Sequence, residues 1–428
     1  MILYYILVLS LPLISQRFFA ASVGGITVEK ILGLLCLIYA IFYLFQRRSS
    51  PRILGTGQAR AFFLFVVWVT ISFFTLSRSA TDPFGNTLTI YISHLFFLIT
   101  TLIVVDSLYR LRWTILAAIG SIGWASLYIL REWQTGSAAY GADYRPGYVT
   151  GDPNYFTASV LVCLPIAYYL LLGKQARWER LFCFGCVFVT LPAIMVAASR
   201  GGFIGLMAAA VFVVLQSKRK SRNLILVGFG MVVVLVLSPS SPIQRLLHPT
   251  TSDVESTNTR LELWHAGWKM VKAHPITGVG LGNFKAEAPY YAAPGVDLNN
   301  IAHNTYVEMA AELGVPGLMM FLAIIFFTFL SLRRSRRRAL RNNSDLIYRV
   351  ASGLQAGLAG FCISILFLSA AFLKLFWFAV FVSACLPVLL GLAQRQQQAA
   401  ALPTGSQEVP SPNLDSEEQD HVWLSDEI

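Results

Sequence analysis

The stretch LMMFLAIIFFTFLSL at residues 318–332 carries no charged side chain, and it decides the class of fold. The stretch LILVGFGMVVVLVL at 224–237 is of the same kind. Of the 428 residues, 56% are hydrophobic and 13% are charged, whereas ordinary soluble domains carry about 25% charged residues. A chain this apolar has too little polar surface to remain in solution. Its long apolar runs are typical of helices that cross a membrane.

Such segments follow one another along the chain, and each can cross roughly 30 Å of hydrocarbon as a helix. They predict an all-α, polytopic membrane protein with about twelve transmembrane helices. The first basic residue of the first segment, Arg17, follows its apolar run, so this segment is predicted to be a retained helix and not a cleavable signal peptide. The predicted spans are 2–20, 26–46, 60–76, 88–106, 112–130, 154–173, 181–198, 201–216, 223–238, 314–332, 348–369 and 372–394.

Lysine and arginine are concentrated in alternate connections between these spans. The formal net charge is +11, and most basic residues fall at 47–60, 110–112, 174–180, 218–222, 333–349 and 395. Because cytoplasmic connections carry an excess of basic residues, both termini are predicted to be cytoplasmic. This distribution, with contact to membrane lipids as a second use, explains the positive charge without nucleic acid as a partner.

Two hydrophilic regions then lie on the outer side, at about 131–153 and at about 239–313. The second is too long for a simple connection and is expected to contain short helices. Residues 1–395 form the predicted transmembrane domain, and 396–428, rich in Gln, Ser and Pro before turning acidic, are predicted to be a disordered cytoplasmic tail. The six cysteines all fall in apolar segments, and the single CxxC at 183–186 lacks the second ligand pair of a zinc site.

Arg200 stands on the outer side between two apolar runs, within SRGG at 199–202. A charged side chain near hydrocarbon normally pairs with another polar group or lies on a substrate or ion pathway. An equal alternative is a plain turn in which the Arg200 side chain extends to the lipid headgroups. In the preceding outer segment, Asp152 and Asn154 either cap the next helix through an Asx turn or present polar groups to a substrate.

Arg260 belongs to a polar segment that is predicted to form a helix stopping before Pro275. Arg260, Trp264 and Trp268 repeat every four residues and therefore share a helical face. One interpretation is an amphipathic helix at the membrane surface, with the tryptophans at headgroup depth and Arg260 directed at an anionic group. The alternative is an ordinary packed surface helix in which Arg260 pairs with a neighbouring glutamate.

His303 opens the last polar motif, and Asn304, Glu308 and Glu312 fall on one helical face beside it. An imidazole has the pKa for proton transfer near neutral pH, and carboxylates on the same face could orient it. The alternative is that His303 is a helix-start residue hydrogen-bonded to a loop. The spacing of His and Glu does not match HExxH, so no metal site is predicted.

Two glycine-bearing segments accompany these residues. GVGLGNF at 278–284 resembles a phosphate loop but lacks the preceding strand and the βαβ context, so a tight turn is favoured. Gly314 and Pro316 permit a bend where the chain enters the bilayer.

Two arginines, a histidine and several carboxyl or amide groups on one membrane face suit a membrane-bound diphosphate. Arginine forks bind phosphate oxygens bidentately and keep their charge at any pH. They would stabilise the charge that develops as a diphosphate leaves. A neutral imidazole could take the proton of an attacking hydroxyl.

The sequence resembles the O-antigen ligase and polymerase superfamily of bacterial envelope glycan enzymes over about residues 150–330. The motifs that carry the resemblance are GDPNYFTASV at 151–160, SRGGFIGL at 199–206, TRLELWHAGWKMVKAHPITGVGLGNF at 259–284 and HNTYVEMAAELGVPGL at 303–318. It implies a metal-independent, inverting transfer of a glycan from undecaprenyl diphosphate to an acceptor hydroxyl, without a cofactor. The implied location is the periplasmic face of the bacterial inner membrane.

The same resemblance implies roles for single residues. Arg200 and Arg260 match the functional arginines that contact the diphosphate, and His303 matches the functional histidine expected to activate the acceptor. The further residues expected to bind substrate are Asp152, Asn154, Trp264, His274, Asn304 and Glu308. The expected acceptor is lipid A–core, as in O-antigen ligation. A second repeat unit, as in a polymerase, and a protein hydroxyl, as in a protein O-oligosaccharyltransferase, are the alternatives within the superfamily.

A small-anion transporter of the bicarbonate type is the alternative from a different class. A transporter should carry ionisable residues near mid-bilayer and broken helices at corresponding places in two halves. Here the charges within spans are few and the strongest polar cluster lies in the outer loops. The sequence therefore favours an enzyme.

Overall fold

The computed structural model describes residues 1–12, 22–23, 26–46, 53–76, 86–140, 144–147, 152–217, 219–236, 251–293 and 300–401. These residues are almost wholly helical, apart from a short antiparallel hairpin of β1 (Ser22–Val23) and β2 (Ile26–Thr27). The helices in chain order are α1 (Ile2–Ser10), α2 (Val28–Gln46), α3 (Gly57–Leu76), α4 (Asn86–Val104), α5 (Leu108–Tyr140), α6 (Pro153–Leu171), α7 (Arg177–Val196), α8 (Arg200–Gln216), α9 (Lys220–Val236), α10 (Thr251–Ala273), α11 (Phe284–Tyr291), α12 (Thr305–Arg341), α13 (Asp345–Ser364) and α14 (Lys374–Ala401).

Among the described helices, nine are long and apolar enough to cross a membrane, namely α2 to α7 and α12 to α14. The prediction of an all-α, multi-pass membrane protein is confirmed. The count of about twelve spans stays a prediction, because α8 and α9 have 17 residues each and α1 has 9. A helix needs about 20 residues to cross the hydrocarbon without thinning it. Part of the first predicted span, 13–20, lies outside the described residues.

Several helices extend past the predicted spans, because a helical backbone does not end where its side chains turn polar. Helix α5 continues to Tyr140 although its predicted span ended at 130, and α12 covers both flanks of the span predicted at 314–332. In the large loop predicted at about 239–313, α11 is short as predicted, whereas α10 has 23 residues.

The chain divides into two compact units, 1–390 and 391–428. The second unit is described only over 391–401, which is helical, so the predicted disordered tail begins with the last turns of a helix. Residues 402–428 of that predicted tail lie outside the described residues. All six cysteines are free thiols within helices of the first unit, as their apolar surroundings predicted.

Small residues let three helices of the first unit pack closely. A Cβ on Gly357 of α13 would lie 2.3 Å from the Val162 carbonyl oxygen of α6, and a Cβ on Gly205 of α8 would lie 2.0 Å from Ser364 Oγ of α13. Glycine at these positions lets the backbones approach, as at small-residue interfaces in membranes. Helix α13 is thereby packed closely against both α6 and α8.

The segment 278–284 is the tight turn that the sequence favoured over a phosphate loop. Gly278, Gly280 and Gly282 have φ angles of 65°, 99° and 75°, all in the left-handed region. The carboxylate of Glu312 accepts hydrogen bonds from the backbone N–H of Gly282 at 2.9 Å and of Phe284 at 3.2 Å. The turn is thus fastened to the first turns of α12.

Helix α12 bends at Gly314, where φ is 69° and ψ is −177°, which confirms the bend predicted there. The bend interrupts the helical hydrogen-bond ladder. Trp68 Nε1 of α3 donates to the Leu313 carbonyl oxygen at 2.9 Å, and the Val315 N–H donates to the Pro275 carbonyl oxygen at 2.8 Å. The backbone groups freed by the bend therefore have hydrogen-bond partners in α3 and in the segment after α10.

We expect Gly314→Ala to destabilise the protein by about 1–3 kcal/mol, because a residue with a Cβ is strained in the left-handed region. A Cβ at this position would also lie 2.2 Å from the Ile276 carbonyl oxygen. Thermal unfolding of the purified protein in detergent measures the effect. Gly185→Ala is the matched control, since a Cβ there would have no neighbour within 4 Å. Equal unfolding temperatures for the two variants would contradict the assigned bend.

Candidate functional site

A polar cavity of about 80 Å³ lies where α6, α8, α10 and the end of α13 meet. One water-sized group needs roughly 10–15 Å³, so the cavity has room for several. Three of its described lining residues are arginines, and none of the described lining residues is acidic. The lining comprises Arg145, Asn154, Ala198, Ser199, Arg200, Gly201, Gly202, Ser256, Arg260, Ser364, Phe367 and Leu368.

Arg200 reaches this cavity because it is the first residue of α8. Ser199 caps the helix, with its Oγ accepting from the Gly202 N–H at 3.1 Å. The same hydroxyl donates to Asn154 Oδ1 at 2.7 Å. Asp152 caps α6 by accepting from the Asn154 N–H at 2.6 Å. The two residues therefore differ: Asp152 caps the helix, whereas Asn154 lines the cavity.

The N-terminus of α8 itself forms part of the wall, through Gly201 and Gly202. A Cβ on Gly202 would lie 2.2 Å from Thr157 Cγ2, so glycine is needed for α8 to begin this close to α6. The positive end of a helix dipole favours an anion. The partial positive charge at the start of α8 therefore adds to the positive charge of the cavity arginines.

Arg145 is a third cavity arginine that sequence reasoning missed. Its Nε and Nη2 each donate to the Ala197 carbonyl oxygen at 3.2 Å. The segment around it is held by Glu132, which accepts from Tyr144 Oη at 2.9 Å and from the Gly147 N–H at 3.2 Å. A single arginine in a polar loop has no helical spacing. No signal in the sequence could therefore have placed Arg145 beside Arg200.

Arg260 enters the cavity from α10, and its side chain is half-buried. Within the described part of the chain, its buried Nε has no hydrogen-bond partner. Burial and the charge of Arg200 lower the pKa of the Arg260 guanidinium, and Asp152 opposes that shift. An arginine remains protonated despite such a shift. The site therefore holds neighbouring positive charges that an anion would stabilise.

The predicted surface helix around Arg260 is a packed helix. Leu263, Ala266 and Met270 of α10 are buried in a small core against α11 and the start of α12. Trp268 is 59% exposed, whereas Trp264 turns inward and its Nε1 donates to the Ala302 carbonyl oxygen at 2.9 Å. The two tryptophans therefore have different surroundings, although they share a helical face. Trp264 instead fixes the residue before His303.

His303 lies beside the cavity but is not one of its lining residues. Its backbone is left-handed, with φ of 49°, and it directly precedes Asn304, the residue that caps α12. The next turn is fastened to a cavity wall, because the Thr305 N–H donates to the carbonyl oxygens of Ile365 at 3.0 Å and Leu368 at 3.1 Å. The start of α12 and the lining residue Leu368 are thus held together.

Electrostatic effects link His303 to the cavity arginine. Burial is the larger cause that lowers the pKa of the His303 imidazole below its usual 6.5, followed by the positive charge of Arg260. The carboxylate of Asp152 acts in the opposite direction. His303 is consequently neutral at neutral pH, the form that can accept a proton.

The remaining predicted residues have other surroundings. Asn304 caps α12, accepting from the N–H groups of Tyr306 at 3.0 Å and Val307 at 3.2 Å, so its amide oxygen is occupied. Glu308 follows one turn later, and its Oε2 is buried without a partner in the described structure. His274 is exposed about 20 Å beyond Arg260 along α10, at 1.5 Å per residue, and does not reach the cavity.

Comparison with known proteins supports the motif analysis. Residues 184–322 match the family described as O-antigen ligase, and this region contains Arg200, Arg260 and His303. The chain is also similar to the teichuronic acid biosynthesis protein TuaE of Bacillus subtilis (strain 168), with 24% identity over 243 residues. That alignment covers 52% of this chain and 48% of TuaE, so the chain spans about half the length of the curated relative it matches. The resemblance to the superfamily is confirmed.

Proposed function

Since this chain is related to the O-antigen ligases, we propose that it is a membrane glycosyltransferase that moves a glycan from undecaprenyl diphosphate to an acceptor hydroxyl. The observation that carries the proposal is the cavity shared by Arg145, Arg200 and Arg260. Three guanidinium groups around one small cavity attract an anion, and the several oxygens of a diphosphate can accept hydrogen bonds from more than one of them.

The proposed reaction is a single displacement. The acceptor oxygen attacks the anomeric carbon of the glycan while the bond from that carbon to the diphosphate oxygen breaks. Attack on the face opposite the leaving group inverts the anomeric configuration. The diphosphate leaves with the bonding electron pair, and Arg200 and Arg260 stabilise the negative charge that it gains.

His303 is the proposed base for this step. It lies next to the cavity wall, and its lowered pKa keeps the imidazole unprotonated at neutral pH, so that it can take the acceptor's proton. Asp152 and Asn154 set the position of the Arg200 helix end, and Asn154 is directed into the cavity. No step of this reaction needs a metal ion or a cofactor.

We assign the expected acceptor as lipid A–core, with the site on the periplasmic face of the inner membrane. The concentration of basic residues in alternate connections supports this orientation, since these residues lie on the opposite side from the cavity. The relative TuaE acts in teichuronic acid biosynthesis. Assembly of another envelope polysaccharide is therefore the second candidate function.

A transfer assay distinguishes these possibilities. The purified protein is given an undecaprenyl-diphosphate-linked glycan in EDTA, with lipid A–core, a second donor molecule or a peptide hydroxyl as acceptor. Transfer to lipid A–core identifies a ligase, and extension of the donor glycan identifies a polymerase. Absence of transfer to every acceptor, together with bicarbonate uptake into proteoliposomes, would contradict the enzyme and favour a transporter.

We expect Arg145→Ala to lower the rate of transfer about tenfold or more, because a hydrogen bond to a charged group contributes roughly 1.5–3 kcal/mol. The matched control is Arg131→Ala, which removes an exposed arginine of α5 outside the cavity lining. Thermal unfolding is measured beside the rates, since Arg145 also bonds the Ala197 carbonyl oxygen. Wild-type rates for Arg145→Ala would remove this residue from the proposed site.

A further inference from the structure

A second cavity, of about 640 Å³, lies between α1, α2 and α4 and is bounded by the first residue of α14. It is separate from the arginine cavity. The segment between α13 and α14 lies between the two, since Phe367 and Leu368 line the first cavity and Lys374 lines the second. Its volume falls within the roughly 300–1,000 Å³ of cavities that hold organic ligands.

The walls of this second cavity are apolar over most of their length, with leucine, isoleucine and phenylalanine side chains from all three helices. The charged lining residues lie where α2 and α14 begin. Glu29 of α2 and Lys374 of α14 form an ion pair there, and Lys30 also lines this end. Lys30 and Lys374 bring two ammonium groups to this end of the described lining, and ammonium groups attract an anionic group of a ligand.

His94 of α4 lines the same cavity and is 2% exposed. Within the described structure, its Nε2 is buried and has no hydrogen-bond partner. Buried polar groups in native proteins nearly always have a partner, so an unpartnered nitrogen in a cavity wall points to a polar group of a ligand.

The length of the cavity matches one leaflet of a bilayer. Its lining residues on α4 run from 89 to 100, which is about 17 Å at 1.5 Å per residue. The hydrocarbon core is about 30 Å thick, so the cavity covers roughly half of it. The polar end lies at the outer end of the helices, and the apolar part continues toward mid-bilayer.

We propose that this cavity binds one hydrocarbon chain of a phosphate-bearing membrane lipid. The chain lies along the apolar walls, the phosphate lies near Lys30 and Lys374, and the polar linkage between them reaches His94. This binding is independent of the proposed glycan transfer. A bilayer phospholipid and a polyprenyl phosphate share the required chemistry.

Gly33 of α2 offers a direct way to fill the cavity. It lines the cavity, and a Cβ there would meet no atom within 4 Å. Gly33→Phe therefore adds a ring to the space proposed for the lipid chain. Gly185→Phe is the matched control, because Gly185 also has no neighbour within 4 Å of a Cβ but lies on the exposed side of α7, outside this cavity.

Native mass spectrometry of the full chain in detergent measures lipid retention, with dioleoyl phosphatidylglycerol, undecaprenyl phosphate or uncharged dioleoylglycerol added as probes. We expect the wild type and Gly185→Phe to retain one phosphate-bearing lipid, and Gly33→Phe to retain it about tenfold less. A tenfold change in affinity needs only about two methylene groups of the lipid chain to be displaced from the cavity. Gly33→Leu and thermal unfolding run alongside, so that loss of fold is separated from loss of lipid.

The two phosphate-bearing probes identify the source of the lipid. Selective retention of either one, lost in Gly33→Phe and Gly33→Leu, supports the proposal and assigns the source. Equal retention by the wild type and both Gly33 variants would overturn it, as would equal retention of uncharged dioleoylglycerol. Because the readout is bound lipid, failure here leaves the glycan-transfer assay unaffected.

Discussion

Arg260→Ala is expected to lower the rate of glycan transfer by about 10²–10³-fold, the loss typical when one group that stabilises developing negative charge is removed. The side chain lines the cavity, and its buried Nε has no partner in the described structure. We therefore expect the interaction lost in this variant to be one made with the substrate. The same substitution removes a repulsion from Arg200, so the unfolding temperature should stay equal or rise.

Lys272→Ala is the matched control for Arg260→Ala, because it removes an exposed cation from the same helix. We expect Lys272→Ala to transfer glycan at the wild-type rate. A wild-type rate for Arg260→Ala, or a loss of activity matched by Lys272→Ala, would contradict a specific role of Arg260 in binding the diphosphate.

His303→Gln is expected to lower transfer by about 10²–10⁴-fold, the usual contribution of a positioned general base. The wild-type rate should fall as the pH drops through the pKa of His303, which lies below the usual 6.5 because of burial and Arg260. Removing the charge of Arg260 favours the imidazolium. The residual activity of Arg260→Gln should therefore be lost at a higher pH than that of the wild type.

Rates measured from about pH 8 to below pH 5 test the assignment of His303, since an unperturbed histidine titrates between about pH 5 and 8 and the pKa of His303 is lowered from that of an unperturbed histidine. His274→Gln is the control, because His274 is exposed and does not reach the cavity. An acid limb that is unchanged in Arg260→Gln would mean that His303 does not titrate in the rate-determining step.

The sequence predicted the class of fold well, because membrane spans depend on a property that each segment shows by itself. The run at 318–332 needs no partner to be recognised, and the bend at Gly314 follows from local backbone chemistry. The number of spans was less predictable. Short apolar helices such as α8 and α9 have nearly the required length, so apolar composition alone does not decide whether they cross.

The candidate site was predictable where a residue stands at a helix end or in a motif. Arg200, Arg260 and Asn154 were identified in this way, and the structure places all three in one cavity. Arg145 and the cavity at Gly33 were missed, since both depend on contacts between segments that are distant in the chain. His274 was included through its motif, although the direction of α10 carries it away from the cavity.

The proposed function requires a diphosphate to bind among three arginines. A cryo-electron microscopy map of the full chain with undecaprenyl diphosphate would show whether it does. We expect density for both phosphates in the cavity lined by Arg145, Arg200 and Arg260, with the attached isoprenoid leaving toward the bilayer and His303 beside the cavity. Density for the diphosphate at Lys30 and Lys374, with the arginine cavity empty, would contradict the claim.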